Sequence, residues 1–538
     1  MPSSKQDSYK DQQFKKFWRE GEAFIWLSGL GVALVLFMVA TLVGVIVKNG
    51  AQTFWPKALV SFTLADDSKI LGELVQEQEH PHSHVNRYQI KVGNRDLNGV
   101  DFKWIIETEI KEQSVPDDAI VLERMEYGNF HGFIKSINSS AITEKTTPLE
   151  DWEKVKPLLH KLEAETEDIN DEVISRANVM ESIRLEILKV RYHKENPAQL
   201  ERRLKALTLQ FEKLMVLQAK ARTALIRHTG TFVDVNGREK EMVLAHIVRS
   251  YQPNQLGLFG KLGVYISKMF ELFFDEPRES NTEGGLFPAI VGTVMLILTM
   301  SIFSFPLGLI AAVYMKEYAK PGILLQAIRV AVSNLAGVPS IVWGIFGLTF
   351  FVYTIGGGID SFFYPERLPT PTFGTGGVLW GSLTLALLTV PVVIVATEEA
   401  LAGVPGDLRH GSYALGATKF QTLINVTIPM AMPRIITGFI LAMSRAAGEV
   451  APLMITGVVK LAPTLPLDGE FPFVHLERKF MHLGFHIYDV GFQSPNVEAA
   501  KPMVFVTTLV LMGIVIALSM SSIILRNKIR KKYAARAF

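Results

Sequence analysis

The sequence predicts an all-α membrane protein of six transmembrane helices, into which an α+β domain with a long helical hairpin is inserted. Three observations predict this class. Several windows of membrane-spanning length are almost free of charge, in a chain of 538 residues that is 48% hydrophobic. A region rich in charged residues follows the first of these windows. Within that region the apolar pattern changes from short strand-like runs to long helical stripes.

Each predicted span is an apolar run long enough to cross about 30 Å of hydrocarbon at 1.5 Å per residue. No small-residue cleavage site follows the first run, so we expect it to be a retained span rather than a signal peptide. A short segment, 1–22, precedes it. The spans are predicted at residues 23–47, 284–315, 330–359, 368–397, 435–459 and 502–525.

The inserted domain covers residues 48–283. Two apolar stripes at three- and four-residue spacing predict an antiparallel helical hairpin over about 158–227. The acids and bases of the hairpin alternate, which is typical of a solvated face and not of a nucleic-acid surface. Strand-like runs are predicted on both sides of the hairpin, at 58–64, 70–75, 88–92, 104–110, 231–235 and 242–248.

Two other patterns in this domain leave alternatives open. Residues 256–274 are amphipathic, which favours a helix lying in the lipid headgroup plane over a helix packed on the domain. The alternating histidines His80, His82 and His84 favour a solvated loop over a metal site, because no acids or thiols are fixed nearby. The chain has no cysteine at all, which excludes disulfides, thiol catalysis and cysteine metal sites.

The distribution of basic residues predicts the orientation of the spans. Lysine and arginine are abundant in segment 1–22, in the loop after the second span, in loop 405–434 and in the tail 526–538. We therefore expect both termini and loop 405–434 to face the cytoplasm. Six spans then leave the inserted domain on the outer side of the membrane, in a periplasm.

Loop 405–434 lies between two apolar segments but is charged, so it is expected to lie in water. Its first part is predicted to be a short helix, with Asp407 favourably placed in the first turn. Gly416 allows a sharp break, and a second helical run is predicted to end near Pro429. Two ordered helices in a polar loop indicate that a partner docks there. The apolar anchors for that partner are Leu408, Tyr413 and Leu415.

The spacing from Gly416 to Ile428 and Pro429 resembles the EAA loop of ABC importer permeases, where a glycine is followed by nine residues and I-x-L-P. The resemblance covers residues 284–525, with one departure: His-Gly-Ser at 410–412 stands where the family has Glu-Ala-Ala. Four further runs resemble the PstA-type phosphate permeases of that family: ALGATKFQ, GFILAMSRAAGEVAPLMITG, SNLAGVPSIVWGIFGL and LLTVPVVIVATEEAL.

This resemblance implies a permease subunit of an ATP-driven phosphate importer in a bacterial inner membrane, with both termini cytoplasmic. The implied partners are a PstC-like second permease subunit, a PstB-like ATPase dimer, a PstS-like periplasmic phosphate-binding protein and membrane lipid. Because the sequence has no G-x-x-x-x-G-K-[ST] motif, ATP and Mg²⁺ are expected on the ATPase, and this chain is expected to be neither an enzyme nor a metal or cofactor protein. The residues implied in ATPase coupling are Asp407, Leu408, Arg409, Tyr413, Leu415, Gly416 and Pro429.

Arg445 and Glu449 are the two charges inside the fifth predicted span. A charge at mid-membrane costs a few kcal/mol, so such residues usually line a water-filled path or pair with each other. We expect Arg445 to meet the transported anion, because its fork of donors suits phosphate oxygens, and Glu449 to orient it. The alternative is a purely structural ion pair between residues four apart on a helix.

Two other functions are compatible with the sequence. The first is a permease for another oxyanion, such as sulfate or molybdate. The second is a membrane sensor or scaffold whose outer domain binds a ligand or protein and signals inward.

Overall fold

The computed structural model describes residues 17–79, 85–142, 146–469, 471–494 and 496–534. In this part of the chain, six helices are long and apolar enough to cross a membrane, which confirms the predicted class. An α+β region lies between the first and the second of them. The six spans are Phe24–Gln52, Phe287–Tyr318, Ser340–Phe363, Val378–Ala402, Lys419–Ala447 and Val497–Lys532.

The third span was predicted at 330–359, and its start is wrong because the chain is not helical throughout that range. A separate short helix, Ile323–Leu335, ends before a break, and the spanning helix begins at Ser340. Pro339 lies in this break with ψ 136°, outside the helical range. Proline lacks the N–H of a helix interior and disfavours helical geometry in the residue before it, so an uncharged run can still be interrupted.

The fourth span begins at Val378 and not at residue 368. The preceding residues form an irregular segment held by the buried carboxylate of Asp360. This carboxylate accepts the backbone N–H of Phe373 at 3.0 Å and that of Gly374 at 2.6 Å. The segment contains two prolines and three glycines but no charge beyond residue 367, so apolar content alone misplaced the boundary.

The fifth span also ends earlier than predicted. Its helix stops at Ala447, with Gly448 as the C-terminal cap, and a separate short helix follows at Ala451–Thr456. Pro452 has no N–H to donate to the carbonyl of Gly448, so a continuous helix to residue 459 would lose a hydrogen bond there. The expectation that Arg445 and Glu449 share one uninterrupted helix is therefore wrong.

The inserted domain contains two five-stranded antiparallel sheets. The first has the strand order β4-β3-β2-β1-β5 and the second the order β10-β6-β7-β8-β9. The strands are β1 Leu59–Leu64, β2 Lys69–Glu79, β3 Asn86–Lys91, β4 Phe102–Ile106, β5 Ile110–Ser114, β6 Ile120–Arg124, β7 Phe130–Asn138, β8 Thr229–Val233, β9 Glu239–Val243 and β10 Ile247–Tyr251.

A helical hairpin is inserted between β7 and β8, formed by Pro148–Tyr192 and Ala198–Ile226. The first helix starts ten residues before the predicted 158, because a capping box at Thr147 fixes its N-terminus and the helix continues through Pro157. Trp152 and Val155, in these first turns, are buried in the core of the second sheet. Packing at the base thus outweighs the local cost of the proline.

The domain is joined to the spans at their ends. The amphipathic helix Leu258–Phe274 connects β10 to the second span. Asn496, just before the sixth span, donates its side-chain amide to Asp101 at 2.6 Å, and Gln89 in β3 donates to Glu498 at 3.3 Å. The sheets therefore contact the start of the sixth span directly.

Candidate functional site

The loop after the fourth span forms a helical elbow. Its first helix is Gly406–Ala414, and Gly416 follows with φ +84°, a conformation that L side chains rarely adopt. The second helix begins after Thr418, whose hydroxyl accepts the N–H of Gln421 in a capping box. Ser412 and Thr422 join the two arms through a hydroxyl–hydroxyl hydrogen bond of 2.8 Å. Gly416 thus makes the turn, and side chains on both sides hold it.

The chain does not end its second helical run near Pro429, as was predicted. A wide helical turn, Leu423–Thr427, leads directly into the helix Ile428–Ala447. Wide helical turns of this type occur where the regular backbone hydrogen bonds of a helix are interrupted, as they are at Pro429, which has no N–H to donate. The second arm of the elbow is therefore continuous with the fifth span.

Arg409 faces the body of this chain. Its guanidinium contacts Glu317, at the end of the second span, at 2.8 Å, and donates to the carbonyl oxygen of Leu401 at 2.7 Å. Lys419 reaches the same region, where it donates to the carbonyl of Glu317 and lies 4.9 Å from the ring centre of Tyr318. These contacts fix the first helix of the elbow against the second and fourth spans.

The elbow exposes several large apolar side chains. The side chain of Leu415 is 90% exposed, and Leu408 and Tyr413 are also exposed. Sequence analysis did not single out Phe420, which is 61% exposed on the second arm. The signal in the sequence that could have identified Phe420 is its position directly after Lys419 in a short helix of the charged loop. Asp407 is exposed in the first turn.

Arg445 and Glu449 do lie together. The Nε of Arg445 is 3.6 Å from Oε1 of Glu449, which is an ion pair but longer than a hydrogen bond. Within the described part of the chain, the two terminal nitrogens of Arg445 have no hydrogen-bond acceptor. The side chain of Arg445 is 49% exposed and that of Glu449 20%. Arg445 therefore presents unused donors on the surface of this chain.

The packing of spans four and five gives the level of Arg445 along the axis of the fourth span. Gly438 lies so close to Ala396 that a side chain there would clash. At 1.5 Å per residue, Ala396 lies about 27 Å along the fourth span from its start at Val378. The fifth span runs in the opposite direction, and Arg445 lies about 10 Å along it beyond Gly438, back towards the level of Val378. Arg445 thus lies about 16 Å from the Val378 end of a helix about 37 Å long. It is therefore level with the middle of the fourth span.

A helix interruption at 448–450 contains Glu449, and another, at 336–339, precedes a neighbouring helix. Gly344 lies against Pro452, and Gly347 lies against Thr456, so the helices that begin at Ser340 and at Ala451 run side by side in the same direction. Their interruptions, at 336–339 and 448–450, are therefore at similar depth. Interrupted helices at mid-membrane are typical of transporter binding sites, where backbone groups line a cavity.

In the described ranges, no group of three or more histidine or acidic side chains is arranged so that it could hold a metal ion. His80, His82 and His84 lie outside the described residues, so their predicted solvated loop stays a prediction.

Comparisons with known proteins indicate the family of the membrane-spanning part. The family described as "Binding-protein-dependent transport system inner membrane component" matches residues 304–531. A probable phosphate transport system permease protein PstA of Methanocaldococcus jannaschii is 34% identical over 40% of this chain and 67% of its own. The probable ABC transporter permease protein YqgH of Bacillus subtilis is 34% identical over 36% of this chain and 59% of its own.

The phosphate transport system permease protein PstA 1 of Mycobacterium tuberculosis is 36% identical over 32% of this chain and 51% of its own. This chain thus spans only about half the length of PstA 1. These relatives are transport permease proteins and not enzymes. The chain is an integral membrane protein that belongs to the family of binding-protein-dependent transport system inner membrane components, the permease subunits of ABC importers.

Proposed function

We propose that this chain is the permease subunit of an ATP-driven importer of inorganic phosphate and forms half of the transmembrane path. The observation that carries the proposal is Arg445, a cation at mid-depth whose terminal donors have no acceptor in the described chain. Exposed to lipid, such a charge costs several kcal/mol, so a water-filled path or a second subunit must cover it. A planar guanidinium matches the oxygens of a phosphate ion.

The neighbouring residues support the same role. Leu441, one helical turn before Arg445, is 68% exposed, so this face of the fifth span is uncovered in the single chain. A second, PstC-like permease subunit on this face would enclose Arg445 in the path. Glu449 limits how tightly an anion is held, because its negative charge beside Arg445 opposes the charge of the anion. The PstA names of the relatives favour phosphate over sulfate or molybdate.

The elbow is proposed to couple this path to ATP hydrolysis. An exposed apolar patch of Leu408, Tyr413, Leu415 and Phe420 is suited to a groove on a PstB-like ATPase. ATP and Mg²⁺ are then held by that ATPase. Arg409 acts as a positioning residue, since its guanidinium is occupied by Glu317. With the ATPase on the cytoplasmic side of a bacterial inner membrane, the elbow and both termini lie in the cytoplasm. The inserted domain then lies in the periplasm, with a PstS-like phosphate-binding protein.

The test is to purify this chain with its bound partners and to reconstitute that complex in lipid vesicles. We expect an ATPase dimer in the complex, and phosphate uptake driven by ATP when the phosphate-loaded binding protein is added. Uptake of sulfate or molybdate at an equal rate would move the assignment to another oxyanion. A chain that copurifies with no ATPase would contradict the transport function itself.

A further inference from the structure

The amphipathic helix Leu258–Phe274 has its charged face turned inward. Lys268 contacts Glu123 of β6 at 2.5 Å, and Arg249 of β10 contacts both Glu123, at 2.6 Å, and Glu271, at 3.0 Å. Arg278 also pairs with Glu271. Burial raises the pKa of Glu123, but Lys268 and Arg249 outweigh burial and hold that pKa below its ordinary value. The carboxylate is therefore ionised, and the network fixes the rotation of the helix about its axis.

The opposite face is apolar and uncovered. Phe259 is 88% exposed, and the rings of Phe270 and Phe274 stack with centres 6.0 Å apart. A helix on the surface of a water-soluble domain normally shows the reverse arrangement, with apolar residues inward and charges outward. The exposed apolar side chains of this face are Leu258, Phe259, Leu262, Ile266, Phe270, Phe273 and Phe274.

The position of the helix indicates what covers this face. Leu272 packs in one cluster with Leu286 and Ala289, at the start of the second span, and with Met503, in the sixth span. The ring of Tyr265 lies 6.1 Å from that of Trp55, three residues beyond the end of the first span. The helix therefore lies beside the ends of three spans, at the level where hydrocarbon gives way to headgroups. Tyrosine and tryptophan are enriched at that level.

We propose that this helix lies in the headgroup plane of the outer leaflet, with its apolar face immersed in lipid, and that it anchors the sheet domain to the membrane surface. Helices of this kind bury their apolar face about 5–10 Å into the boundary between headgroups and acyl chains. Because the ion network joins the helix rigidly to β6 and β10, the anchor also sets the tilt of both sheets over the membrane. The inference does not depend on which ion the permease carries.

Because this chain has no cysteine, one introduced cysteine carries the only spin label on this chain, which permits a direct test. Phe259→Cys, Ile266→Cys and Phe270→Cys are labelled with a nitroxide in the assembled complex, in bilayer discs of phosphatidylethanolamine and phosphatidylglycerol. Leu209→Cys on the second helix of the hairpin is the matched control, because it replaces an apolar side chain that is 55% exposed on a different helix of the domain. Relaxation by oxygen, which concentrates in lipid, is compared with relaxation by a water-soluble nickel chelate.

We expect oxygen to relax the labels at 259, 266 and 270 several-fold more than nickel does, and the order to reverse at 209. Nickel accessibility at all three positions equal to that at 209 would show a solvated face and overturn the proposal. Protection from both reagents would show that a protein subunit covers the helix, which also overturns it. The outcome is read from the label and not from transport, so a failure of the phosphate assignment would leave this test intact.

Discussion

Replacing Gly416 by valine is expected to uncouple the elbow from transport. Gly416 has φ +84°, and a side chain added there meets no atom within 4 Å. The whole cost is therefore in the backbone, about 1–2 kcal/mol for an L-residue in the left-handed region, and β-branched residues resist it most. A cost of this size changes the population of the native elbow by a factor of roughly 5–30.

The assay is phosphate uptake and ATP hydrolysis per assembled complex. Gly416→Asn should be milder than Gly416→Val, because asparagine tolerates positive φ. Gly411→Ala is the control, since Gly411 lies inside the first helix with open space around it and alanine there favours the helix. We expect uptake to fall in the order Gly411→Ala, Gly416→Asn, Gly416→Val. Normal uptake by Gly416→Val at normal assembly would refute the reasoning.

Three further predictions concern other parts of the chain. Protease added to intact spheroplasts should cut within the hairpin, residues 150–228, and not within 405–434; cleavage of the elbow from outside would reverse the proposed topology. Arg409→Gln and Glu317→Gln should each lower phosphate uptake. Because the two side chains form one ion pair, the double variant should lose less than the sum of the two losses, with a coupling energy of about 1 kcal/mol. Additive losses would show that the two residues do not act as a pair. Burial lowers the pKa of His131 to about 4, below its unfolded 6.5, so the unfolded domain binds the extra proton between these values. The free energy of unfolding of the sheet domain should therefore decrease as pH falls from 6.5 to 4, by roughly 1.4 kcal/mol per pH unit at most. Measured by hydrogen exchange, this pH dependence should be weaker in His131→Leu. An unchanged pH dependence in that variant would rule out His131 as the cause.

The hairpin and the number of spans were predictable because they depend on periodicity and composition. Leu162, Ile169 and Val173 recur at helical spacing, and they lie in the first hairpin helix. Residues Asn236-Gly237, a pair typical of tight turns, join β8 to β9, with Gly237 at φ +79°. Such signals are local, so a single sequence contains them.

The interruptions of the spans were not predictable from apolar content. Hydropathy counts side chains, whereas a helix ends where a backbone hydrogen bond is lost, as at Pro339 and Pro452. The orientation of Arg409 was also hidden, because its partner Glu317 is 92 residues away in sequence. A charged residue in a docking loop can face the docking partner or its own chain, and only the packing decides which.

Phosphate uptake per assembled complex in Arg445→Gln, measured beside Glu449→Gln, tests the central claim most directly. If Arg445 meets the anion, Arg445→Gln abolishes uptake while the complex still assembles, because glutamine is less costly to bury than an unpaired charge. Glu449→Gln should be milder, since Glu449 is expected to orient Arg445, 3.6 Å away, and not to bind the anion itself. A purely structural pair predicts instead that either change lowers the amount of complex recovered. Undiminished uptake per complex in Arg445→Gln would contradict the role of Arg445 in the anion path.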